Sequence, residues 1–418
     1  MKNHLSEALK GIKFKSMPNI SYDIVFHRQS VMNECGFKEN LRKLPFALIR
    51  RAFFKSPIEY NKSGSKVLFY LSDPIRKSSE VNFFKAVRTL PKADTLIERV
   101  QKQRFSIKGF YLLFILVPVW LTQMTNRKLT FIEKYQIVKE LLDLYHIQEF
   151  FRTLDIQQYN LLVCYYDSLV HECVLNLMFQ QKDISTATLE HGQFNAWREN
   201  TIINCGLEFI TSHCDYHLCW NRFTKEEAIK SGWRAERLPI VGILSNIGKG
   251  KERCVRPNNG IFGVVISNPS WEHENHDLIR AANILAAKYK LRYYLKLHPV
   301  YDESYFDNEI EKKYFVGNVK KGIDTLEYAN MVDFSLIGST SVFSELVYTY
   351  HDILRYSTLL PSDKYRDVKI GCVFHQPDEV VQCYNMLNED FKSQLFDLLC
   401  GPENTKEAYS RFFCKFIE

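Results

Sequence analysis

Residues 332–345 read VDFSLIGSTSVFSE, and this stretch decides the fold. An apolar run, Val332 to Ile337, reads as a strand. It stops at Gly338, passes through Ser339, Thr340 and Ser341, and continues into a helical pattern from Ser341 to Tyr350. A strand ending in glycine and hydroxyl residues before a helix is the usual form of a ligand-binding turn in an α/β sheet. Glycine permits close backbone approach, hydroxyls donate hydrogen bonds, and the helix start offers unpaired N–H groups suited to phosphate. Helix capping is the plainer reading, and one such residue suffices for it.

The neighbouring sequence repeats the alternation. Ile261–Ser267 (IFGVVIS) and Leu291–Leu297 (LRYYLKL) read as strands, and His276–Tyr289 between them reads as an amphipathic helix. The second strand runs into Lys296-Leu297-His298-Pro299. Pro299 stops the chain from continuing straight into a helix. His298 then stands at the strand end, where an imidazole can donate to a phosphate oxygen, and Lys296 lies two residues earlier on the same strand face. Glu345, one turn into the helix, is placed to accept ribose hydroxyls, or merely to complement the helix dipole.

Upstream, Lys66–Leu71 (KVLFYL) and Asn160–Cys164 (NLLVC) read as buried strands, Ser168–Gln180 as a helix and Ser185–Glu190 as a further strand. Strand, helix, strand of these lengths is a βαβ unit and implies a parallel sheet. That strand ends on Glu190-His191-Gly192. Histidine titrates near neutral pH, so His191 is the candidate general base, with Glu190 its rival and Asp167 and Asp215 behind them. The polar, basic, turn-rich stretch 247–260 is the linker. The expected division is residues 1–246, the linker 247–260, residues 261–402 and a final helix within 403–418. Together these give an α/β fold of two doubly wound Rossmann-like domains facing across a cleft, with ligands beyond the carboxyl ends of the strands.

The chain has 418 residues, 46% hydrophobic and 25% charged, which suits two folded domains and excludes a disordered or fibrous chain. Its polar, basic first residues predict no secretory signal. The 11 cysteines suggest no disulfide framework and fit a reducing cytoplasm. His213, Cys214, His217 and Cys219 are metal-ligand types, but their spacing is that of a strand, so no metal site is expected. Residues 1–130 hold 24 Lys and Arg against 9 Asp and Glu, a net +15, while the remainder nets −8. A basic first third suits an anionic membrane or a phosphorylated acceptor. No nucleic-acid motif accompanies it, so nucleic acid is not an expected partner. The apolar run Gly109–Leu121 is too short to span a bilayer; a buried helix is the first expectation and an in-plane membrane helix the second.

Glu190-His191-Gly192-Gln193, then Asp215, Trp220, Glu227–Gly232 and Gly242, resemble the amino-terminal domain of bacterial surface-polysaccharide glycosyltransferases. Lys296–Pro299 and Gly338–Glu345 resemble the donor domain of the same group. Its relatives include capsule polymerases, Kdo transferases, sialyltransferases with a His-Pro motif and teichoic-acid glycerophosphotransferases. The resemblance covers roughly Asn160 to the end; residues 1–150 match nothing in it.

It implies the GT-B architecture and an inverting, metal-independent transfer of sugar to a glycan acceptor in capsule, O-antigen or lipooligosaccharide synthesis. The donor would be a CMP-, CDP- or UDP-linked sugar, serving as co-substrate with no further cofactor. The acceptor would be an oligosaccharide or a lipid-linked glycan. His298, Ser339, Thr340 and Ser341 would hold the donor phosphates and His191 would act as base, although Glu190 stands where the teichoic-acid group has tryptophan. A cytoplasmic enzyme, peripheral at the inner face of the plasma membrane, is the expected setting. A polyol-phosphate transferase, a nucleotide-sugar epimerase and a catalytically silent glycan-binding module are the alternatives.

Overall fold

The computed structural model describes residues 4–28, 44–72, 77–99, 102–166, 169–192, 194, 196, 207–247, 253–360, 363–387 and 389–417. Among the described residues the strands, in chain order, are β1 (Phe54–Lys55), β2 (Ile58–Asn61), β3 (Val67–Leu71), β4 (Asp94–Glu98), β5 (Arg104–Phe105), β6 (Leu161–Cys164), β7 (Ser185–Leu189) and β8 (Tyr216–Leu218) in the first half. The second half holds β9 (Ile261–Val265), β10 (Arg292–Lys296), β11 (Phe315–Asn318), β12 (Ser335–Ile337), β13 (Ile353–Tyr356) and β14 (Cys372–Phe374).

Strands β9 to β14 form one parallel sheet in the order β11-β10-β9-β12-β13-β14. The strand order reverses between β9 and β12, which opens a crevice at their carboxyl ends. One face buries Phe262 and Val264 against Leu278, Ala282 and Leu285 of the helix Glu272–Tyr289. The other buries Val265 and Ile337 against Phe343, Leu346 and Leu399.

The first sheet runs β2-β4-β3-β6-β7-β8, parallel except for the antiparallel edge strand β2. Its order reverses between β3 and β6. β3, β4 and β6 are buried along their whole length, as expected of strands covered on both faces. Val67, Phe69 and Leu71 point to one layer; Leu68 and Tyr70 point to the other. The helix Thr405–Cys414 lies on the first of these layers. Tyr409, Phe412 and Phe413 share a core with Val67 and Phe69, so the end of the chain completes the first domain. Leu399 O accepts Asn221 Nδ2 at 2.8 Å where the chain crosses back.

Residues 248–252 of the expected linker lie outside the described residues. From Arg253 onward the chain is already tied to the second domain, through Cys254 N–H to Thr349 O and Gly260 N–H to Asp333. Among its described residues the basic first third combines helices with β1 to β5. The helix Phe131–Phe151 that follows begins in a capping box of Thr130 and Glu133 and is buried or half-buried all round from Glu133 on, although it carries six charged residues, because it is wedged between two cores. Leu141, Leu142 and Leu144 meet Trp120 and Leu116, whereas Ile147 and Phe151 meet the sheet. The apolar run departs from the expectation of a buried helix. It is helical from Gly109 to Gln123 with a wide π turn at Leu112–Leu116. Gly109, Leu112, Leu116, Val117 and Trp120 are buried and Leu113 packs partly against the core, whereas Phe110, Tyr111, Phe114 and Ile115 are exposed.

Candidate functional site

At the end of β12 the chain turns at Gly338. A Cβ there would stand 1.9 Å from Glu274 Oε1, so the residue must be glycine on account of a carboxylate, whatever ligand it meets. Glu274, in the first turn of the helix Glu272–Tyr289, is fully buried. It accepts Ser339 N–H at 2.5 Å, and its second oxygen lies 2.9 Å from Ser339 Oγ. Ser339 Oγ is also 3.1 Å from Asp363 Oδ1. Asp363 accepts Tyr365 N–H at 2.9 Å and the Ser357 hydroxyl, and faces Arg355 at 3.5 Å.

Burial pushes the Glu274 carboxyl up to about 8. The Ser339 hydroxyl thus lies within hydrogen-bond reach of two buried carboxyl groups, Glu274 and Asp363. Ser339 therefore fixes the turn from beneath rather than offering its hydroxyl outward. Thr340 and Ser341 are half-buried on the outer side. Ser341 precedes the helix Val342–Tyr348 without a side-chain cap bond, and Thr340 Oγ1 receives Val342 N–H at 3.4 Å.

The other rim residues fall on neighbouring strand ends. Lys296 ends β10 and is half-buried over the Tyr328 ring, with Nζ donating to Ile323 O at 3.2 Å. Burial lowers its affinity for a proton, against the pull of Glu345, Asp324 and Glu327. Glu345 accepts the Thr325 hydroxyl, which ties it to Lys296 and the helix Thr325–Met331. His298 is half-buried in the turn that carries the exposed Pro299. Its Nδ1 accepts Val300 N–H at 3.4 Å, and its carbonyl accepts Tyr301 N–H at 3.0 Å. Two strand spacings, about 10 Å, separate the ends of β10 and β12. His298 and Ser341 thus line one rim without touching. Between them, at the end of β9, the buried Ser267 Oγ has no hydrogen-bond partner among the described residues.

In the first domain the turn after β7 is built on the same plan. Glu190 is fully buried and accepts Trp220 N–H at 2.5 Å, the Thr224 hydroxyl at 2.9 Å and Phe194 N–H at 3.3 Å. Its carbonyl accepts the Trp220 indole N–H at 2.8 Å. Burial pushes its carboxyl up to about 8. Three donors on a buried carboxyl make Glu190 the anchor of the loop and leave it no open face for an incoming hydroxyl. His191 stands on that loop among aromatic rings: Tyr166 edge-on at 4.2 Å, Phe194 at 5.0 Å and Tyr165 at 5.7 Å. Gly192 follows, and a Cβ on it would lie 4.0 Å from Ser341 Oγ. The turn bearing His191 and the turn bearing Thr340 and Ser341 therefore face each other across the domain boundary.

The remaining candidates are elsewhere. Asp215 sits at the amino-terminal end of β8, where it accepts Thr186 N–H at 3.0 Å and Arg237 at 2.7 Å. That is the far end of the sheet from His191, so it has no part in the cleft. Asp167 and Gln193 lie outside the described residues. The His217 ring packs among Phe194, Phe209 and Trp233, and Cys219 bridges to Ile240 in the core.

A second group at the first domain's own switch point was not found from sequence. Ser72, just past β3, donates to Glu172 in the helix Val170–Gln180 after β6. Glu172 is fully buried, its carboxyl is pushed up to about 7 by burial, and among the described residues no donor reaches its other oxygen. Beside it, His171 Nδ1 lies 3.1 Å from Glu98 at the end of β4, and the Tyr70 hydroxyl donates to the same carboxylate. Within an unbroken helical pattern these residues carry no local signal; the switch-point rule applied to the first sheet points to them.

Two Rossmann-like domains that meet at the carboxyl ends of their parallel sheets define the GT-B architecture, and this chain has it. The sequence matches no protein-family model and no curated protein. Among solved structures, a Listeria monocytogenes protein provisionally described as a UDP-N-acetylglucosamine 2-epimerase is similar over 84% of this chain and 95% of its own, with 10% identity and a TM-score of 0.50. UDP-GlcNAc 2-epimerase from Methanocaldococcus jannaschii aligns with 84% of this chain and 99% of its own, at 13% identity and a TM-score of 0.48. A wall teichoic acid polymerase aligns with 84% and 88%, at 9% identity and a TM-score of 0.43. At such identities the likeness concerns the fold.

Proposed function

We propose that the chain is an enzyme acting on a nucleotide sugar, and specifically an inverting, metal-independent glycosyltransferase of surface-polysaccharide synthesis. The observation that carries this reading is the meeting of the two turns, where a Cβ on Gly192 would lie 4.0 Å from Ser341 Oγ. It brings the turn that carries His191 beside the turn that carries Thr340 and Ser341. The donor sits in the crevice past β9 and β12, its phosphates against Thr340, Ser341 and His298, with Lys296 adding charge and Glu345 the candidate partner of the ribose. His191 takes the proton of an acceptor hydroxyl as that oxygen attacks the anomeric carbon. The bond from that carbon to the phosphate oxygen breaks, its electron pair leaves with the nucleotide, and the rim donors stabilise the new charge. The acceptor is an oligosaccharide or a lipid-linked glycan held by the first domain.

The test is a panel of CMP, CDP, UDP and GDP and their sugars in thermal shift, followed by transfer assays with glycan acceptors. Stabilisation by one nucleotide and acceptor-dependent release of it support the reading. Absence of both, or full transfer by His191→Ala, overturns it. An epimerase is the second reading, since the same nucleotide-sugar site can act on one bound sugar without an acceptor. The Listeria monocytogenes protein of this fold is so described. Conversion of UDP-GlcNAc followed by NMR in the absence of acceptor distinguishes the two.

A further inference from the structure

We propose that one face of the helical layer is a docking surface for an anionic lipid bilayer. Three elements form it: the helix Leu44–Phe53, the antiparallel ribbon of β1 and β5, and the helical run Gly109–Gln123. They are one continuous surface. Phe53 stacks on Phe105 at 5.6 Å and meets Phe110 edge-on at 4.9 Å; Phe54 meets Phe105 at 5.9 Å, and Phe110 meets Phe114 at 6.4 Å.

Large apolar side chains point away from the core along the whole face. Phe46 is 74% exposed, Phe105 63%, Ile107 75% and Phe114 69%, with Ile49, Phe110, Tyr111 and Ile115 at least four-tenths exposed beside them. Isolated exposed apolar residues are ordinary, but a contiguous patch of this kind marks an interaction surface. The run is held rigidly from behind. Leu112, Leu116 and Trp120 are buried in the helical core, and the Trp120 indole N–H donates to Lys15 O at 2.9 Å.

Charge identifies the occupant. Residues 44–58 and 99–132 together contain nine Lys and Arg and no Asp or Glu; of these Arg51, Arg99, Lys102 and Lys108 pair with acids from outside the two stretches. On the ribbon Lys55 and Arg104 are direct cross-strand partners and both are exposed. Like charges in that position repel, and an anionic surface offsets the repulsion. A second copy of the chain would set cation against cation. No helix of the described residues is long and apolar enough to cross a membrane, so the geometry is that of a half-embedded platform: aromatic and branched side chains at the interface, basic side chains among the headgroups. This inference is independent of the catalytic reading, because its test uses no substrate.

The test is co-sedimentation of the full chain with vesicles of phosphatidylcholine alone or mixed with phosphatidylglycerol, at low and high salt. The expected result is binding to the mixed vesicles that weakens with salt. Lys55→Gln and Arg104→Gln should each reduce partition about five-fold, and Phe110→Ser with Phe114→Ser should reduce it by about ten-fold or more. Thermal unfolding checks that the variants keep the fold. Binding that ignores the phenylalanines, no binding to the mixed vesicles, or a self-associated chain that becomes monomeric on Phe114→Ser would each overturn the proposal; the last would make the face a dimer interface.

Discussion

Gly338→Ala tests whether the turn after β12 is shaped by the protein or by a ligand. The new methyl group would stand 1.9 Å from Glu274 Oε1 and 2.5 Å from its Cδ, so the carboxyl group has to move. Overpacking of that kind costs about 1–3 kcal/mol. Moving Glu274 also weakens its contacts with Ser339 N–H and Oγ, at about 1 kcal/mol each. The expected loss is about 3–5 kcal/mol, read as a fall in the urea midpoint of the second domain. Glu274→Ala alone is also destabilising, because it leaves a cavity and an unpaired Ser339 N–H. In the double variant the methyl group enters the space that the carboxyl group vacated. The two losses should therefore fall short of additivity by about 2–3 kcal/mol. Additive losses refute this account. So does a Gly338→Ala protein of unchanged stability that no longer binds nucleotide, since the glycine would then serve the ligand.

Ser341→Ala should weaken nucleotide binding by about ten-fold at unchanged stability, whereas Ser339→Ala should lower stability, as calorimetry with and without nucleotide will show. His191→Asn should lower turnover by about a hundred-fold or more while nucleotide affinity stays within two-fold, about the size expected for a lost general base; an unchanged rate removes His191 from the chemistry. Phe413→Ala should cost about 3–5 kcal/mol in urea unfolding of the first domain, because the ring is fully buried and meets Phe69 at 5.1 Å. Burial raises the carboxyls of Glu172, Glu190 and Glu274 from an ordinary 4.5 to about 7, 8 and 8. The folded chain therefore holds these protons more tightly than the unfolded chain. The stability they confer is complete below about pH 4.5 and is lost as pH rises through about 7 to 8. The urea midpoint should fall between about pH 4.5 and pH 8 and level off above, and Glu274→Gln, which stays neutral, should make that fall smaller.

The strands nearest the site were legible because they are apolar and end in turn residues. Ile261–Ser267 and Leu291–Leu297 contain β9 and β10 with a residue or two to spare, and Val332–Ile337 contains β12. The overreach at Val332 has a cause: Asp333 accepts the N–H groups of Asn259 and Gly260 and so belongs to the connection before β9. β4 escaped notice because it carries an acid at each end. Asp94 accepts Ser63 N–H, Ser65 N–H and the Tyr159 hydroxyl, and Glu98 takes His171, so both acids are buried in a central strand. Pattern reading counts charge and cannot see the partners that permit its burial. The same limit governed the site. A glycine followed by three hydroxyls predicts a close approach, but the group that approaches, Glu274, lies far back in the sequence and no local pattern names it.

The two facing turns share one construction. In each domain a strand ends, and a fully buried carboxyl accepts backbone N–H groups of the loop: Glu190 from Phe194 and Trp220, Glu274 from Ser339. Both carboxyls are raised to about 8 by burial, and both are shut away from the cleft. The acids thus fix where the turns stand, with half-buried His191 packed among Tyr165, Tyr166 and Phe194 on one side and half-buried Thr340 and Ser341 on the other. A reaction in this cleft depends on the separation of those two sets, which no single loop controls. It is set by two buried anchors, one in each domain, and by the closing chain that crosses back at Leu399 to complete the first core. Hence the stretch that announces the fold, Gly338 to Ser341, divides by role: Gly338 and Ser339 belong to the scaffold, and in the proposed site only its last two residues are left to meet a ligand.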